Sequence, residues 1–373
     1  MSSAPMQATR HLYVHVPFCR HKCGYCDFNV YTGQDRLMPD FVDAVAKELR
    51  WAAAHLAFSS LRTVYIGGGT PSVLPAPLAA RLLAAVRETF RLAPGCEVTL
   101  EANPASTDPE KLAAWREGGV NRLSLGVQGF DPHALAILER KEDGARAEHA
   151  MHQARAAGFD NISLDLIYAV PGQSDGSWVA TVERALALDP EHLSCYGLQF
   201  EEGTLLYRRL REGRLRQVPA DRQWELQQLA DQVLRRHGFR RYEVSSWARP
   251  GRRSRHNSAY WACRPYYGAG PGAHSYGRNR GLARRWWNVR RPRDYIARSP
   301  LVEEDHEDLD SALVQAERVL LGLRTVRGLR RTGGFGPQLE RLAAAGLVRL
   351  SPGWVAPTER GLDLHNQIAM EML

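Results

Sequence analysis

Three cysteines fall within eight residues in the stretch Cys19-Arg20-His21-Lys22-Cys23-Gly24-Tyr25-Cys26, directly after an apolar run. A short loop with these gaps can wrap three sulfurs around one face of an iron–sulfur cube. A structural zinc site takes four closed ligands, and an electron-transfer cluster normally takes four cysteines. We therefore predict that Cys19, Cys23 and Cys26 ligate a [4Fe-4S] cluster whose fourth iron stays open. A zinc loop completed by His15 or His21 is the alternative that the spacing alone leaves.

The sequence around this loop alternates between strands and helices. Because each apolar, β-branched run is followed by a helical pattern, the strands are expected to be parallel and joined by right-handed crossovers. Such a sheet can curve, so we predict an α/β fold with a partial (β/α)6-type barrel. The predicted strands are Leu12–Phe18, Thr63–Ile66, Glu97–Glu101, Arg122–Val127, Asn161–Ile167 and His192–Leu198. The predicted helices are Asp40–His55, Pro77–Phe90, Pro109–Glu117, Gly144–Ala157 and Gly176–Leu188.

The rest of the chain predicts two smaller regions beyond the barrel. A long helix, Asp221–His237, and a single further strand, Arg241–Trp247, follow the sixth strand. We expect a core barrel over residues 10–240, a barrel-associated region over residues 241–300, and a small C-terminal helical or winged-helix-like domain over residues 301–373. Two short strands around a turn, Gly346–Ser351 and Gly353–Ala356, are predicted within that last domain.

The composition is typical of a globular protein. Hydrophobic residues make up 44% and charged residues 24% of the 373 residues, which supports a sizeable core. No stretch reaches the ~20 apolar residues of a membrane span, and residues 1–10 lack the apolar region of a signal peptide. The clustered cysteines suit a reducing compartment. We therefore expect a cytoplasmic protein, with peripheral contact to a membrane left open.

Polar residues and glycines follow four successive predicted strands. In a parallel barrel the carboxyl ends of the strands form the reactive face. A glycine run lets a ligand approach backbone groups closely, and buried polar atoms are costly without a partner. We therefore expect these four strand ends to bind a ligand together. The segments are Gly67–Pro71, Glu101–Pro104, Gly126–Phe130 with Arg140 downstream, and Asp165–Tyr168.

From Leu12 to about Tyr276 the chain resembles the oxygen-independent coproporphyrinogen III oxidase family of radical-SAM proteins. The resemblance rests on the cysteine spacing, on the strand-end segments above, and on Tyr13–Cys19, Pro171–Gln173 and Glu202–Thr204. It implies a radical-SAM barrel that holds S-adenosylmethionine (SAM) on the open iron, with Tyr13, Gly68 and Glu101 in contact with it. Positions that hold a second SAM in the true oxidases are matched by Tyr25, Gly69, Thr70, Gln128, Arg140 and Asp165.

Two departures point away from the oxidases and towards the haem-chaperone branch of the family. Phe28 stands where the oxidases have a further cysteine, and only 18 residues precede Cys19 in place of a long extension. The segment Arg255–Trp261 resembles the HNxxYW motif of the haem-binding branch, as does Gly270–Tyr276. Imidazole ligates iron and flat rings pack on porphyrins. The resemblance thus implies haem contacts for His256, Tyr260 and Trp261, with Cys263 and His274 as candidate second ligands.

The net charge of +8 permits an anionic partner without demanding one. An arginine-rich run, residues 278–293, carries Trp286 and Trp287 between its arginines. A solvated basic face is the commonest explanation of such a run. Contact of the arginines with haem propionates or another anionic partner is the second, because guanidinium groups pair well with carboxylates. Nucleic acid is a rival for basic–aromatic segments, and we do not expect it here.

The leading hypothesis is a haem chaperone that carries a [4Fe-4S] cluster and SAM and passes haem to acceptor apoproteins. The rival is an enzyme, an oxygen-independent coproporphyrinogen III dehydrogenase that decarboxylates propionates by radical-SAM chemistry. We lean against that enzymatic activity because of Phe28 and the short segment before Cys19. The third hypothesis is a zinc-stabilised barrel that binds another small molecule.

Overall fold

The computed structural model describes residues 7–140, 144–279, 282–331 and 333–372. Its central sheet has nine strands: β1 Thr9–Val16, β2 Phe58–Gly68, β3 Leu92–Ala102, β4 Arg122–Gln128, β5 Ile162–Tyr168, β6 His192–Gly197, β7 Arg240–Glu243, β8 Ser246–Ala248 and β9 Tyr267–Ala269. Their order across the sheet is β7-β8-β6-β5-β4-β3-β2-β1-β9. Strands β1 to β6 are parallel and neighbour one another in chain order, which confirms the predicted α/β barrel-like fold.

Helices connect the parallel strands, as the alternating pattern predicts. Helix α1, Met38–His55, has Pro39 in its first turn, where a missing backbone N–H costs nothing. Its side chains Phe41, Val45 and Leu49 recur every four residues and are buried against the sheet. The helices of this part are α1 Met38–His55, α2 Ala76–Thr89, α3 Pro109–Glu117, α4 Pro132–Ile137, α5 Gly144–Ala156, α6 Asp175–Ala187, α7 Leu205–Arg211 and α8 Ala220–Arg236.

Alternation along the strands separates the core from the inner face of the sheet. Leu12, Val14 and Val16 of β1 are fully buried in the main hydrophobic core. The residues between them, Tyr13 and His15, point to the opposite side, as period-two geometry requires. The register pairs Tyr13 with Tyr65, and Glu101 with Ser124, so polar side chains of neighbouring strands meet on that inner face.

The edges of the sheet differ from the prediction. The single strand expected over Arg241–Trp247 is wrong, because the chain turns at Val244 and Ser245 and forms the antiparallel hairpin β7–β8. At the other edge β9 pairs in parallel with β1 although it follows about 250 residues later in the chain.

A second, three-stranded antiparallel sheet lies beyond β9. Its strands are β10 His274–Asn279, β11 Leu282–Asn288 and β12 Glu303–Leu309, and the flanking helices are α9 Arg255–Trp261 and α10 Pro292–Arg298. Since β12 follows Pro300 and still pairs with β11, this sheet spans the boundary expected near Pro300. The division into residues 10–240, 241–300 and 301–373 stays a prediction.

The C-terminal part has a core of its own, formed around Leu323, Leu342, Val355 and Ile368. Its elements are α11 Ser311–Gly322, β13 Leu329–Arg330, α12 Gly336–Ala344, β14 Val348–Ser351, β15 Trp354–Pro357, α13 Glu359–Asp363 and α14 His365–Met372. The two predicted short strands are present as β14 and β15. Within the described ranges, no helix has the length and apolar character needed to span a membrane.

Candidate functional site

A cavity of about 460 Å³ opens on the inner face of the sheet beside the cysteine loop. It collects side chains from the loop after β1 and from the ends of β2 to β6, as the rule for parallel barrels predicts. Eleven of the residues proposed from the sequence line it: Cys19, Cys23, Tyr25, Cys26, Gly68, Gly69, Thr70, Glu101, Gln128, Arg140 and Asp165.

The cysteine loop is held in place by hydrogen bonds at both ends. The backbone N–H of Cys19 donates to the carbonyl of Tyr31 at 3.0 Å, and that of Cys26 donates to the carbonyl of Cys23 at 3.1 Å. The hydroxyl of Thr70 lies 3.2 Å from Cys19 Sγ, and Arg140 Nη1 donates to Cys23 Sγ at 3.8 Å. A guanidinium and a hydroxyl beside the sulfurs would stabilise thiolates in this cavity.

Burial acts on the sulfurs in the opposite direction. It raises the pKa of Cys19 to about 11, and it also raises the pKa of Cys26. A buried thiol of this kind is inert by itself and becomes a thiolate when a cation replaces its proton. The loop is therefore built to release protons on binding metal.

The donor set fits a cluster of several irons better than one ion. His15, one candidate for a fourth zinc ligand, contacts Tyr13 through Nδ1 at 3.0 Å and the carbonyl of Asn29 through Nε2 at 2.9 Å. Three sulfurs that line one open cavity suit a [4Fe-4S] cube with one corner turned to a ligand.

The glycine run after β2 allows the chain to pass close to this loop. Gly68 has φ of +112°, and a Cβ there would lie 2.6 Å from two atoms of the His15 ring. A Cβ on Gly69 would lie 2.7 Å from the carbonyl oxygen of Phe18 and 3.0 Å from Cys19 Sγ. Both positions therefore need glycine, one for backbone conformation and space and the other for space.

Two carboxyl groups face the cavity from β3 and β5. Glu101 accepts from the Tyr65 hydroxyl at 2.6 Å and from the Gly68 N–H at 3.1 Å, and burial raises its pKa to about 7. Asp165 accepts from Ser124 at 2.9 Å, and burial raises its pKa as well. The charge of Arg122 acts against both shifts. Such groups can bind an ammonium group or ribose hydroxyls of a ligand.

The end of β4 is strained. Gln128 has φ of +68°, which is uncommon for a residue other than glycine, and the β4–β5 register shifts between Gly126 and Gln128. Arg140 Nη2 donates to the carbonyl of Gly126 at 2.6 Å and so closes this bulge. Bulges and left-handed residues of this kind recur beside binding sites, where they aim a side chain.

One predicted SAM residue and the predicted haem residues do not line the cavity. Tyr13 lies behind it, with its hydroxyl 3.0 Å from His15 Nδ1. His256 is fully buried, with Nδ1 2.7 Å from the Thr63 hydroxyl and Nε2 2.8 Å from the Tyr260 hydroxyl. Trp261 lies under the guanidinium of Arg324, whose carbon is 4.4 Å from the ring centre.

Both ring nitrogens of His256 are thus occupied within the protein. Burial lowers the pKa of His256 to about 3, so the ring is neutral and structural. To ligate iron, it would have to leave two hydrogen bonds and the core. The assignment of haem to His256, Tyr260 and Trp261 gains no support from this geometry and stays a prediction.

Sequence reasoning missed several residues that line the cavity. Tyr65, Arg122, Ser124, Ser194 and Asn257 are among them. The alternation of side chains along a strand could have identified the first four. Each lies an even number of residues before a predicted strand-end residue, and therefore on the same face, or is paired with such a residue on the neighbouring strand. Asn257 arrives from α9, beside His256, and no local pattern places it here.

The chain is similar to known proteins over nearly its whole length. Residues 13–185 match the family model described as the radical SAM superfamily. The chain is 42% identical to the haem chaperone HemW of Mycobacterium tuberculosis strain H37Rv, over 97% of this chain and 94% of that protein. It is 33% identical to the HemW of Bacillus subtilis strain 168, over 95% of this chain and 97% of the relative.

Among solved structures, coproporphyrinogen III oxidase (HemN) from Escherichia coli superposes with a TM-score of 0.82. The match covers 98% of this chain and 90% of that one at 23% sequence identity. At this identity the likeness concerns the fold, and it agrees with the observed barrel and its C-terminal additions.

Proposed function

Because the chain belongs to the radical SAM superfamily and, within it, to the family of the HemW relatives, we propose that it is a haem chaperone. It binds haem, carries a [4Fe-4S] cluster and SAM, and passes haem to acceptor proteins. The observation that carries the proposal is the 42% identity, over 97% of the chain, with a relative of that name. The acceptor proteins and a cytoplasmic location remain predictions from the sequence.

The cavity supplies the residues for the cofactors. Cys19, Cys23 and Cys26 would ligate the cluster, since they are the three sulfurs that line the cavity. When bound, such a cluster offers one iron to SAM and can supply it with an electron. Arg140 and Thr70, which contact the sulfurs, offset the negative charge of the thiolates.

The strand ends beside the cluster loop would hold SAM. The Glu101 carboxylate would pair with the ammonium group of SAM, and the Gly68 N–H donates a hydrogen bond to that carboxylate. Asp165 lines the same cavity and accepts a hydrogen bond from Ser124. We propose SAM contacts for the whole set given by the sequence: Tyr13, Tyr25, Gly68, Gly69, Thr70, Glu101, Gln128, Arg140 and Asp165.

Haem titration of the purified chain after anaerobic reconstitution tests the proposal. We expect the Soret band to saturate at a defined ratio of haem to protein, both in the wild type and in a Cys96→Ala control. Cys96 is a buried cysteine outside the cavity, so its loss should leave cluster and haem binding intact. If the reconstituted chain shows no saturable Soret band, the proposal that it is a haem chaperone is rejected.

The enzymatic alternative can be tested with the same preparation. Incubation with coproporphyrinogen III, SAM and a reductant should leave the porphyrinogen unchanged. Formation of protoporphyrinogen IX at catalytic rates would favour the dehydrogenase, because that product requires loss of two propionate carboxyl groups. The likeness to HemN gives this activity no separate support, since at 23% identity it concerns the fold.

A further inference from the structure

We infer that the haem binds outside the cluster cavity, at the exposed end of the small sheet where β10 begins, with His274 as an axial ligand of its iron. Trp287 holds the His274 ring, and Arg290 and Arg291 receive the haem propionates. This inference rests on the proposed function and names the site of its cargo. A carrier that hands its ligand to another protein needs that ligand where the acceptor can reach it, and His256 is buried.

His274 has the properties of a free ligand. It is exposed at the start of β10, and its ring nitrogens make no hydrogen bond with any residue that the structure describes. Its ring stacks on Trp287 of β11, with centroids 5.5 Å apart and planes at 27°. Burial and the charges of Arg285 and Arg290 lower the pKa of His274, so the imidazole is neutral at pH 7, as iron ligation requires.

The stack sets the direction of the imidazole. His274 and Trp287 are directly opposite each other in the β10–β11 register, and Asp305 of β12 is opposite Trp287 on its other side. An imidazole held by a flat indole loses little rotational freedom when it binds iron. The Asp305 carboxylate makes the β12 side unfavourable for propionates.

The segment after β11 carries two arginines without a carboxylate partner, and the charge of Arg290 acts on His274. Arg290 and Arg291 are exposed at the junction of β11 and α10, and neither forms an ion pair with a carboxylate in the described parts of the chain. By contrast, Arg284 is paired with Asp308, and Arg285 with Glu307 and Glu317. Two free guanidinium groups match the two carboxylates of a haem in number and in chemistry.

The site is also attached to the cluster loop. Asn29, three residues after Cys26, donates through Nδ2 to the carbonyl of Pro271 at 3.0 Å and to that of Arg290 at 3.0 Å. It therefore joins the segment before His274 to the segment that carries Arg290. Tyr31 donates to the same Arg290 carbonyl at 3.2 Å. Hydrogen bonds thus join the cysteine loop to both segments of the proposed haem site.

The test is a haemin titration of the reconstituted full chain and of four variants, followed at the Soret band and by quenching of tryptophan fluorescence. His274→Ala is compared with His306→Ala, an exposed histidine of β12 that faces the other side of the same sheet. Arg290→Gln/Arg291→Gln is compared with Arg284→Gln. All five substituted positions are partly or wholly exposed, and far-UV circular dichroism checks that each variant folds.

We expect His274→Ala to weaken haem binding by about tenfold or more and to shift the Soret band, while His306→Ala stays within about twofold. The double arginine variant should bind more weakly than Arg284→Gln, and the difference should shrink at high salt. If the wild type binds haem and His274→Ala retains its affinity and spectrum, this inference is overturned and the chaperone stands. If the wild type itself shows no saturable band, both are overturned.

Discussion

Replacement of Gly68 by alanine should damage the barrel and the cavity more than the same change at Gly33. Gly68 has φ of +112°, and an alanine Cβ there would lie 2.6 Å from two atoms of the His15 ring. Gly33 also has a positive φ, of +66°, but nothing lies within 4 Å of its Cβ position. Gly33→Ala is therefore the matched control, because it carries the backbone cost without the collision.

The two contributions can be estimated separately. A left-handed conformation costs an L-residue about 1–2 kcal/mol. Overpacking adds about 1–3 kcal/mol at Gly68, because the His15 ring is held by Tyr13 and by the carbonyl of Asn29 and cannot swing aside freely. We expect the free energy of unfolding to fall by about 2–5 kcal/mol in Gly68→Ala and by about 1–2 kcal/mol in Gly33→Ala.

Urea denaturation followed by the fluorescence of the buried tryptophans Trp115 and Trp178 measures this difference. SAM titration of the reconstituted variants measures the effect on the cavity, since Gly68 also holds Glu101. A His15→Ala/Gly68→Ala double variant should recover part of the loss, because the two side chains would no longer collide. Equal stability of the two single variants, with unchanged SAM affinity, would refute the reasoning.

Two further predictions concern the carboxylate and the buried histidine. SAM affinity of the wild type should rise as pH increases from about 6 to about 8, because burial raises the pKa of Glu101 to about 7 and only the carboxylate pairs with an ammonium group. Glu101→Gln should bind SAM more weakly and without this pH dependence; a wild-type profile in the variant would count against the pairing. His256→Ala should lower the free energy of unfolding by about 2–4 kcal/mol, through loss of a buried side chain and its two hydrogen bonds, while haem affinity is retained. Loss of haem binding in a variant of unchanged stability would instead support the ligand role that the motif implies.

Much of the barrel follows from local sequence. Alternation of strand and helix predicted β1 to β6 and their crossover helices, since each strand carries its own apolar run. The strand-end residues also met as expected, because parallel strands bring their carboxyl ends to one edge. Cys19, Gly69 and Glu101 are far apart in the chain and line one cavity for this reason.

Other features of the structure depend on contacts that local sequence does not encode. The hairpin β7–β8 was read as one strand because the turn at Val244 and Ser245 contains neither glycine nor proline. The motif around His256 gave no sign that Thr63, from β2, would occupy one of its ring nitrogens. Exposure separates His256 from His274, and exposure is a property of the assembled fold.

Three sulfurs, those of Cys19, Cys23 and Cys26, are expected to hold a cluster with one iron free for SAM. The direct measurement is electron paramagnetic resonance of the reduced, anaerobically reconstituted chain before and after addition of SAM, with iron and sulfide quantified. We expect the content of one [4Fe-4S] cluster per chain, its loss in Cys19→Ala/Cys23→Ala/Cys26→Ala, and a spectrum that changes when SAM is added. A chain that assembles no cluster, or a cluster whose spectrum SAM leaves unchanged, would contradict the account.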